Sequence, residues 1–132
     1  MINQYNSNFS SVCLLNYHFI FCPKYRKNIF DMPFVEDKFK QLVHYVCESL
    51  NIYILALECH HDHVHLFVSA VPNIKSSYII QRIKGYTSKI LRTEFKQLNR
   101  YDSLWSRSFF VSSAGNVSSS TIKHYVDTQK CR

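Results

Sequence analysis

Little in this sequence loosens or kinks a chain: among 132 residues there are 2 Gly and 3 Pro. That scarcity excludes collagen-like, linker-rich and low-complexity readings. Acid is also short, with 9 Asp and Glu against 16 Lys and Arg, a formal net charge of +7. Long apolar runs are missing. The longest, Tyr17 to Cys22, lies between Asn16 and Pro23 and is far too short to span a bilayer. The N-terminus has no basic segment leading into an apolar core, so no secretory signal is expected. Cys13, Cys22, Cys47, Cys59 and Cys131 are odd in number and show no CxxC spacing. Three of them sit in apolar stretches, as buried free thiols do. No disulfide framework is therefore expected, and a reducing cytoplasm is the expected location. What the chain does have is 46% hydrophobic and only 19% charged residues, which rules out wholesale disorder and supports one packed core. We read residues 1–132 as a single domain of ordinary size.

The positive charge is concentrated. From Lys75 to Arg100 the cations Lys75, Arg82, Lys84, Lys89, Arg92, Lys96 and Arg100 face one acid, Glu94. From Asp31 to Asp62, by contrast, Lys38 and Lys40 face Asp31, Glu36, Asp37, Glu48, Glu58 and Asp62. A basic segment of this kind suits a polyanion, with nucleic acid the first candidate. A solvated helix face that aids solubility is the alternative.

Residues 1–11 are rich in Asn and Ser and are expected to be loose. Cys13 to Cys22 reads as a buried strand closed by Pro23. After the Asp31-Met-Pro33 turn, Phe39, Leu42, Val43, Val46 and Leu50 recur at helical spacing. Glu36 and Asp37 lie in the first turns, where they suit the helix dipole, and Asn51 ends the helix. Asn51 to Cys59 is β-branched and apolar, a second strand. His63 to Ala70 alternates: Val64, Leu66, Val68 and Ala70 share one face, His63, His65, Phe67 and Ser69 the other. The short connector Cys59 to Asp62 fits a hairpin. A second helix follows, capped by Ser76 or Ser77, with Ile79, Ile80, Ile83, Ile90 and Leu91 as its apolar stripe and Gly85 as a weak point. Phe109 to Ala114 is a short strand, Gly115-Asn116 a turn, and Ser118, Ser119 or Ser120 caps a last helix running toward Arg132. The order β-α-β-β-α-β-α predicts an α+β fold. Its first six elements form a ferredoxin-like split βαβ with an antiparallel sheet and both helices on one face; the last helix is appended.

Four of the seven His fall within His60-His61-Asp62-His63-Val64-His65. On a strand, His63 and His65 project from the same face. Two imidazoles so placed can grip one divalent cation and leave positions open for water or phosphate. The alternative is a pair of solvent-facing His on an edge. Tyr125 and Gln129 are one helical turn apart on a common face. An amide oxygen can ligate a hard cation. A phenol can act as a nucleophile once its proton is lost, which at neutral pH needs a nearby cation or base. The alternative is that Tyr125 packs with Ile122 and Val126 as an aromatic anchor.

Together these pieces resemble a known family. Cys59 to Lys130 is similar to the single-tyrosine transposases of the HUH endonuclease superfamily, HUH denoting His, a hydrophobic residue, His. Within it, the chain most resembles the transposases of the IS-two-hundred/IS-six-hundred-and-five insertion sequences. The resemblance is carried by Asp62-His63-Val64-His65-Leu66-Phe67-Val68, Lys84-Gly85 and Leu104-Trp105-Ser106-Arg107-Ser108-Phe109-Phe110. It continues through the Ala114-Gly115-Asn116-Val117 turn and Tyr125-Val126-Asp127-Thr128-Gln129. Asn16-Tyr17-His18-Phe19 and Pro23-Lys24-Tyr25-Arg26 also fit. One departure is His60-His61 before Asp62, where the family more often has an apolar residue and Pro; it alters the turn or adds a competing ligand.

The resemblance implies a metal-dependent enzyme that cleaves and rejoins single-stranded DNA at hairpin-bearing element ends. His63, His65 and Gln129 would bind the metal, Mg²⁺ or Mn²⁺. Tyr125 would attack the scissile phosphorus, keep a covalent 5′-phosphotyrosine link and release a 3′-hydroxyl. Two imidazoles suit Mn²⁺ better than Mg²⁺. The family is homodimeric, and the tyrosine helix of one protomer can complete the site of the other. Arg82, Lys84, Lys89 and Arg92 are the candidate DNA-binding residues, each phosphate contact adding salt sensitivity. Asp62 would orient a metal-bound His or stabilise the turn. Trp105 is expected as a core or interface anchor and His18 as structural. His124 points about 100° away from Tyr125 around the helix, and Tyr86 and Tyr101 are fallback nucleophiles. Two other readings remain. Cys59, His61, His63 and His65 share strand parity and would form a zinc site, structural or hydrolytic. A ferredoxin-like sheet could also bind nucleic acid without catalysis.

Overall fold

The structure is a computed structural model that describes residues 14–100 and 102–113. Strand β1 (Leu15–Phe21) ends where Pro23 removes a backbone donor. The chain then makes two short 3₁₀ turns, Lys24–Arg26 and Ile29–Asp31, and enters helix α1 (Val35–Ser49). Val35, Phe39, Leu42, Val43, Val46 and Cys47 are its buried residues, the helical spacing expected. Asn51, at φ 57°, terminates α1 as predicted. Its N–H donates to the Glu48 carbonyl and that of Ile52 to the Cys47 carbonyl, 3.1 and 2.8 Å, so a left-handed residue satisfies the last carbonyls of the helix.

Strand β2 (Tyr53–Cys59) and strand β3 (Val64–Ala70) form the expected antiparallel hairpin, with one irregularity between Ile54 and Ala56. Helix α2 (Ser76–Glu94) differs from expectation at its start. The extended residue before it is Lys75, and no side chain caps it. Ser76 is already helical, so neither Ser76 nor Ser77 occupies the position from which a hydroxyl accepts from the first turn. Strand β4 (Phe110–Ser113) completes a sheet of order β2-β3-β1-β4, antiparallel at every pairing. This is the split βαβ arrangement. The turn at Gly115-Asn116 and the last helix lie outside the described residues.

The main core lies between the helices and one face of the sheet. It joins Phe19 and Phe21 of β1, Val64, Leu66, Val68 and Ala70 of β3, Phe39 and Val43 of α1, and Ile79, Ile80, Ile83 and Leu91 of α2. Trp105 is a core anchor, as expected. Its ring packs on Phe21 at 4.9 Å and Phe39 at 5.3 Å, and its Nε1–H donates to Thr87 Oγ1 at 2.9 Å. Ser106 N–H to the Cys22 carbonyl and Lys24 N–H to the Leu104 carbonyl, 2.9 and 2.8 Å, tie the segment before β4 alongside the end of β1.

Because β3 is second in the sheet, both of its faces are buried. The face away from the helices carries His65, Phe67 and Ser69 of β3 and His18, Ile20 and Cys22 at β1. Cys47 and Cys59 are free thiols. Among the described residues, no helix is long and apolar enough to cross a membrane.

His18 is structural as expected, its ring 4.3 Å from that of Phe67, and burial pushes its pKa down to about 4. An imidazole that resists protonation when folded but not when unfolded makes stability pH-dependent. The contribution is complete above about pH 6.5, where neither state is protonated. It is lost as pH falls toward about 4, at up to about 1.4 kcal/mol per pH unit. Urea unfolding across that window should show this loss, and His18→Phe should flatten it. An unchanged slope in the variant would assign the pH dependence elsewhere.

Candidate metal centre

The imidazole cluster grows out of the β2–β3 hairpin. His65 sits inside β3, directly across from Glu58 of β2 and Ile20 of β1, and is buried. His63 immediately precedes β3 and is half-buried. The pair projects from the helix-free face of the sheet, as strand alternation requires, with ring centroids 4.7 Å apart. Placement on an interior strand removes the reading of two solvent-facing His on an edge.

The hairpin adds a third imidazole. His60 N–H donates to the His63 carbonyl at 2.8 Å, closing the loop so that residues 60 and 63 face each other. The His60 ring stacks on His63 at 4.6 Å and 10° and meets His65 edge-on at 4.8 Å. One ligating atom from each of His60, His63 and His65 lies within 4.8 Å of the others. Three nitrogen donors that converge in this way fit a divalent cation.

An ordered chain of polar contacts fixes His63. Its Nδ1 is 2.9 Å from Asp62 Oδ1, which leaves Nε2 for a ligand. Arg26 in turn donates to Asp62 Oδ2, at 3.1 Å from Nε and 2.9 Å from the guanidinium terminus. The hydrogen bond with His63, helped by Arg26, holds the Asp62 carboxyl below the usual carboxylate range against a smaller opposing effect of burial. A carboxylate on the far nitrogen of a ligating His is the arrangement that sets tautomer and ring orientation in metal sites. Arg26 and its neighbour Tyr25 both adopt positive φ, 54° and 58°. For such residues this is uncommon backbone that the surroundings must hold in place. Asp62 thus joins His63 to Arg26 through its two carboxylate oxygens.

The zinc cluster considered from strand parity does not assemble. His61 turns away, its Nδ1 2.9 Å from Asp31 Oδ1. Cys59 pairs with Val64 and packs against the main core on the helix side, and burial pushes its thiol up to about 12. Parity fails because residues 60–62 form the hairpin turn, whereas His63, adjoining β3, keeps its alternation with His65. His60, which sequence reasoning held only as a competing ligand, is the imidazole that joins the pair. The departure from the family pattern was the signal that could have found it.

Tyr125 and Gln129, with His124 and Tyr101, lie outside the described residues. The fallback Tyr86 is on α2, stacked on Tyr45 at 5.4 Å, in the layer behind the sheet from the imidazoles. Of the basic residues on α2, Arg82 and Lys89 are exposed. Arg92 Nε donates to the carbonyl and hydroxyl of Ser88. Lys84 donates to the carbonyls of Ser106 and Ser108 at 2.6 and 3.3 Å, and its ammonium lies 5.7 Å over the Phe109 ring. Burial lowers its pKa. Lys84 therefore holds the 106–109 segment in position. It also lines, with Arg92, Arg107 and Phe109, a cleft of about 440 Å³ between α2 and the segment before β4. A larger cavity of about 870 Å³, lined by Lys40, His44, Tyr45, Asn51 and Tyr53, contains none of the sequence-predicted site residues.

The family model described as IS200-like transposase matches residues 11–129. The transposase for insertion sequence element IS200 of Salmonella typhimurium is 30% identical over 123 residues, covering 86% of this chain and 78% of that protein. The ISDra2 transposase TnpA of Deinococcus radiodurans is 25% identical over 118 residues, covering 87% and 84%. Among solved structures, a protein of Deinococcus radiodurans R1 assigned as a transposase superposes with a TM-score of 0.75 at 24% identity, covering 96% of this chain and 98% of that one. A REP-associated tyrosine transposase bound to a REP hairpin superposes with a TM-score of 0.63 at 12% identity, covering 92% and 68%. These two structural likenesses bear on the fold.

Proposed function

The chain belongs to the IS200-like transposase family, and from that premise we propose that it cleaves and rejoins single-stranded DNA at insertion-sequence ends through a covalent tyrosine intermediate. The observation that carries this reading is the convergence of His63 and His65, with Asp62 behind His63, on the open face of the sheet. When bound, a divalent ion, Mg²⁺ or Mn²⁺, polarises a non-bridging phosphate oxygen and offsets the charge that builds in the transition state.

This chain's residues do the rest. His63 and His65, with the amide of Gln129, hold the ion, and Asp62 keeps His63 in its ligating tautomer. The Tyr125 oxygen attacks phosphorus as its proton passes to solvent, and the departing O3′ takes up a proton in exchange. The new bond is Tyr125 Oη–P and the broken one is P–O3′, so the protein keeps the 5′-phosphate and the other strand end leaves as a 3′-hydroxyl. One phosphodiester replaces another, so no nucleotide triphosphate is consumed. Rejoining is the same exchange with an incoming 3′-hydroxyl as attacker.

The DNA path follows the cations. Arg26 lies two hydrogen bonds from His63, flanked in sequence by Lys24 and Lys27 and by Tyr25, 78% exposed and free to stack on a base. This rim borders the imidazoles. Arg82, Lys89 and Arg92 on α2 are on the helix layer and suit more distant phosphates of a hairpin end. Lys84 acts there by positioning residues 106–109. DNA hairpins as partners are supported by the hairpin-bound REP-associated transposase that shares the fold. A homodimer would bring two such sites together for two strand ends.

The test is direct. Full-length protein incubated with single-stranded DNA carrying an element end should form a denaturation-stable protein–DNA adduct with Mn²⁺ present and none with a chelator. DNA binding with no adduct under any metal would instead favour a non-catalytic binding module.

A further inference from the structure

We infer that His60 is a third imidazole ligand of the ion held by His63 and His65, and that it biases this site toward Mn²⁺, Co²⁺ or Zn²⁺ and away from Mg²⁺. The inference rests on the metal-dependent reading above. It starts from a residue outside the His-hydrophobic-His pattern.

Three observations carry it. First, the His60 ring lies within 4.8 Å of both partner rings, so it is part of the cluster and not a bystander on the loop. Second, its backbone is pinned by the 2.8 Å bond to the His63 carbonyl while its side chain, 44% exposed, retains room to turn. Ligating nitrogens around one ion at about 2.1 Å are spaced by roughly 3.0–3.4 Å. The three present atoms already lie within 4.8 Å, so side-chain rotation can close the remainder. Third, among the described residues nothing stronger holds the ring away: its Nε2 is 3.9 Å from Glu58 Oε1, too long for a hydrogen bond. The neighbouring His61 shows the contrast, clasped to Asp31 at 2.9 Å.

The consequence is one of donor chemistry. Mg²⁺ prefers oxygen donors and keeps its waters, whereas imidazole nitrogen favours first-row transition ions. Each added imidazole widens that gap. Glu58, facing His65 across the hairpin and nearest His60, is placed to accept a hydrogen bond from a ligating ring.

The experiment titrates Co²⁺ into the full chain without DNA. It follows the visible absorption of the bound ion and repeats the titration against excess Mg²⁺. Wild type should bind Co²⁺, and Mg²⁺ should compete poorly. His60→Ala and the shape-preserving His60→Phe, each checked for a wild-type circular dichroism spectrum, should weaken Co²⁺ by at least about tenfold, since losing even an outer-sphere partner costs 10–100-fold. They should alter the absorption band, and His61→Ala should leave both readings unchanged. If both His60 variants bind like wild type while His63→Ala does not, the third-ligand inference is overturned and the metal reading stands. If wild type binds no Co²⁺, or His63→Ala binds it equally well, the metal reading itself fails.

Discussion

Tyr125→Phe should abolish the denaturation-stable adduct between this protein and single-stranded DNA, while binding of the same DNA stays close to wild type. The change removes one oxygen and leaves the aromatic ring, so the proposed nucleophile is lost with the least change in side-chain shape. Loss of a covalent nucleophile typically costs at least roughly 10⁴-fold in rate, enough to take the adduct below detection on a denaturing gel with end-labelled DNA. The assignment also specifies polarity. The label should stay with the protein when it lies on the 3′ side of the cut, because the 5′-phosphate is retained. An adduct that persists in Tyr125→Phe would move the nucleophile elsewhere. Tyr86, stacked on Tyr45 behind the sheet, is a poor substitute.

His63→Ala should remove cleavage and leave much of the DNA binding. His63 is held on one nitrogen by Asp62 at 2.9 Å, so its other nitrogen is committed to the open face with little orientational freedom. As a proposed ligand of an ion whose effect on the transition state is worth several kcal/mol, its loss should cost at least roughly 10³-fold in cleavage rate. DNA affinity derives mainly from cations on phosphates, and Arg26, Lys24, Lys27 and the α2 cations remain. Gel shift and cleavage measured on the same preparation separate the two effects. Equal loss of both would mean that His63 supports the fold or the DNA surface instead of the chemistry. Retention of cleavage would remove it from the site.

Much of the fold could be read from residue patterns because each element announces its own period. The spacing of Phe39, Leu42, Val43 and Val46, and the alternation of Val64, Leu66 and Val68 against His65 and Phe67, are local properties that burial enforces. Asn51 was legible as a helix end because Asn tolerates the left-handed conformation found there. The start of α2 was not. A run of two serines offers a hydroxyl at either position, and only the path of the backbone decides which residue stays extended; here it is Lys75.

The site divides in the same way. That His63 and His65 share a face follows from a strand's two-residue period, a property of any chain that folds there, and so belongs to the amino-acid order alone. The membership of the third position does not. Between Cys59 and Val64 the backbone leaves the strand, alternation no longer orders the side chains, and His60 and His61 could each have turned inward. One contact distant in sequence and one within the hairpin chose between them. Asp31, brought up by the turn before α1, draws His61 outward, and the closing bond from residue 60 to residue 63 holds His60 over the pair. Arg26 reaches Asp62 across 36 positions of chain in the same manner. Local periodicity sets which residues face together; only packing of remote segments sets which of them meet.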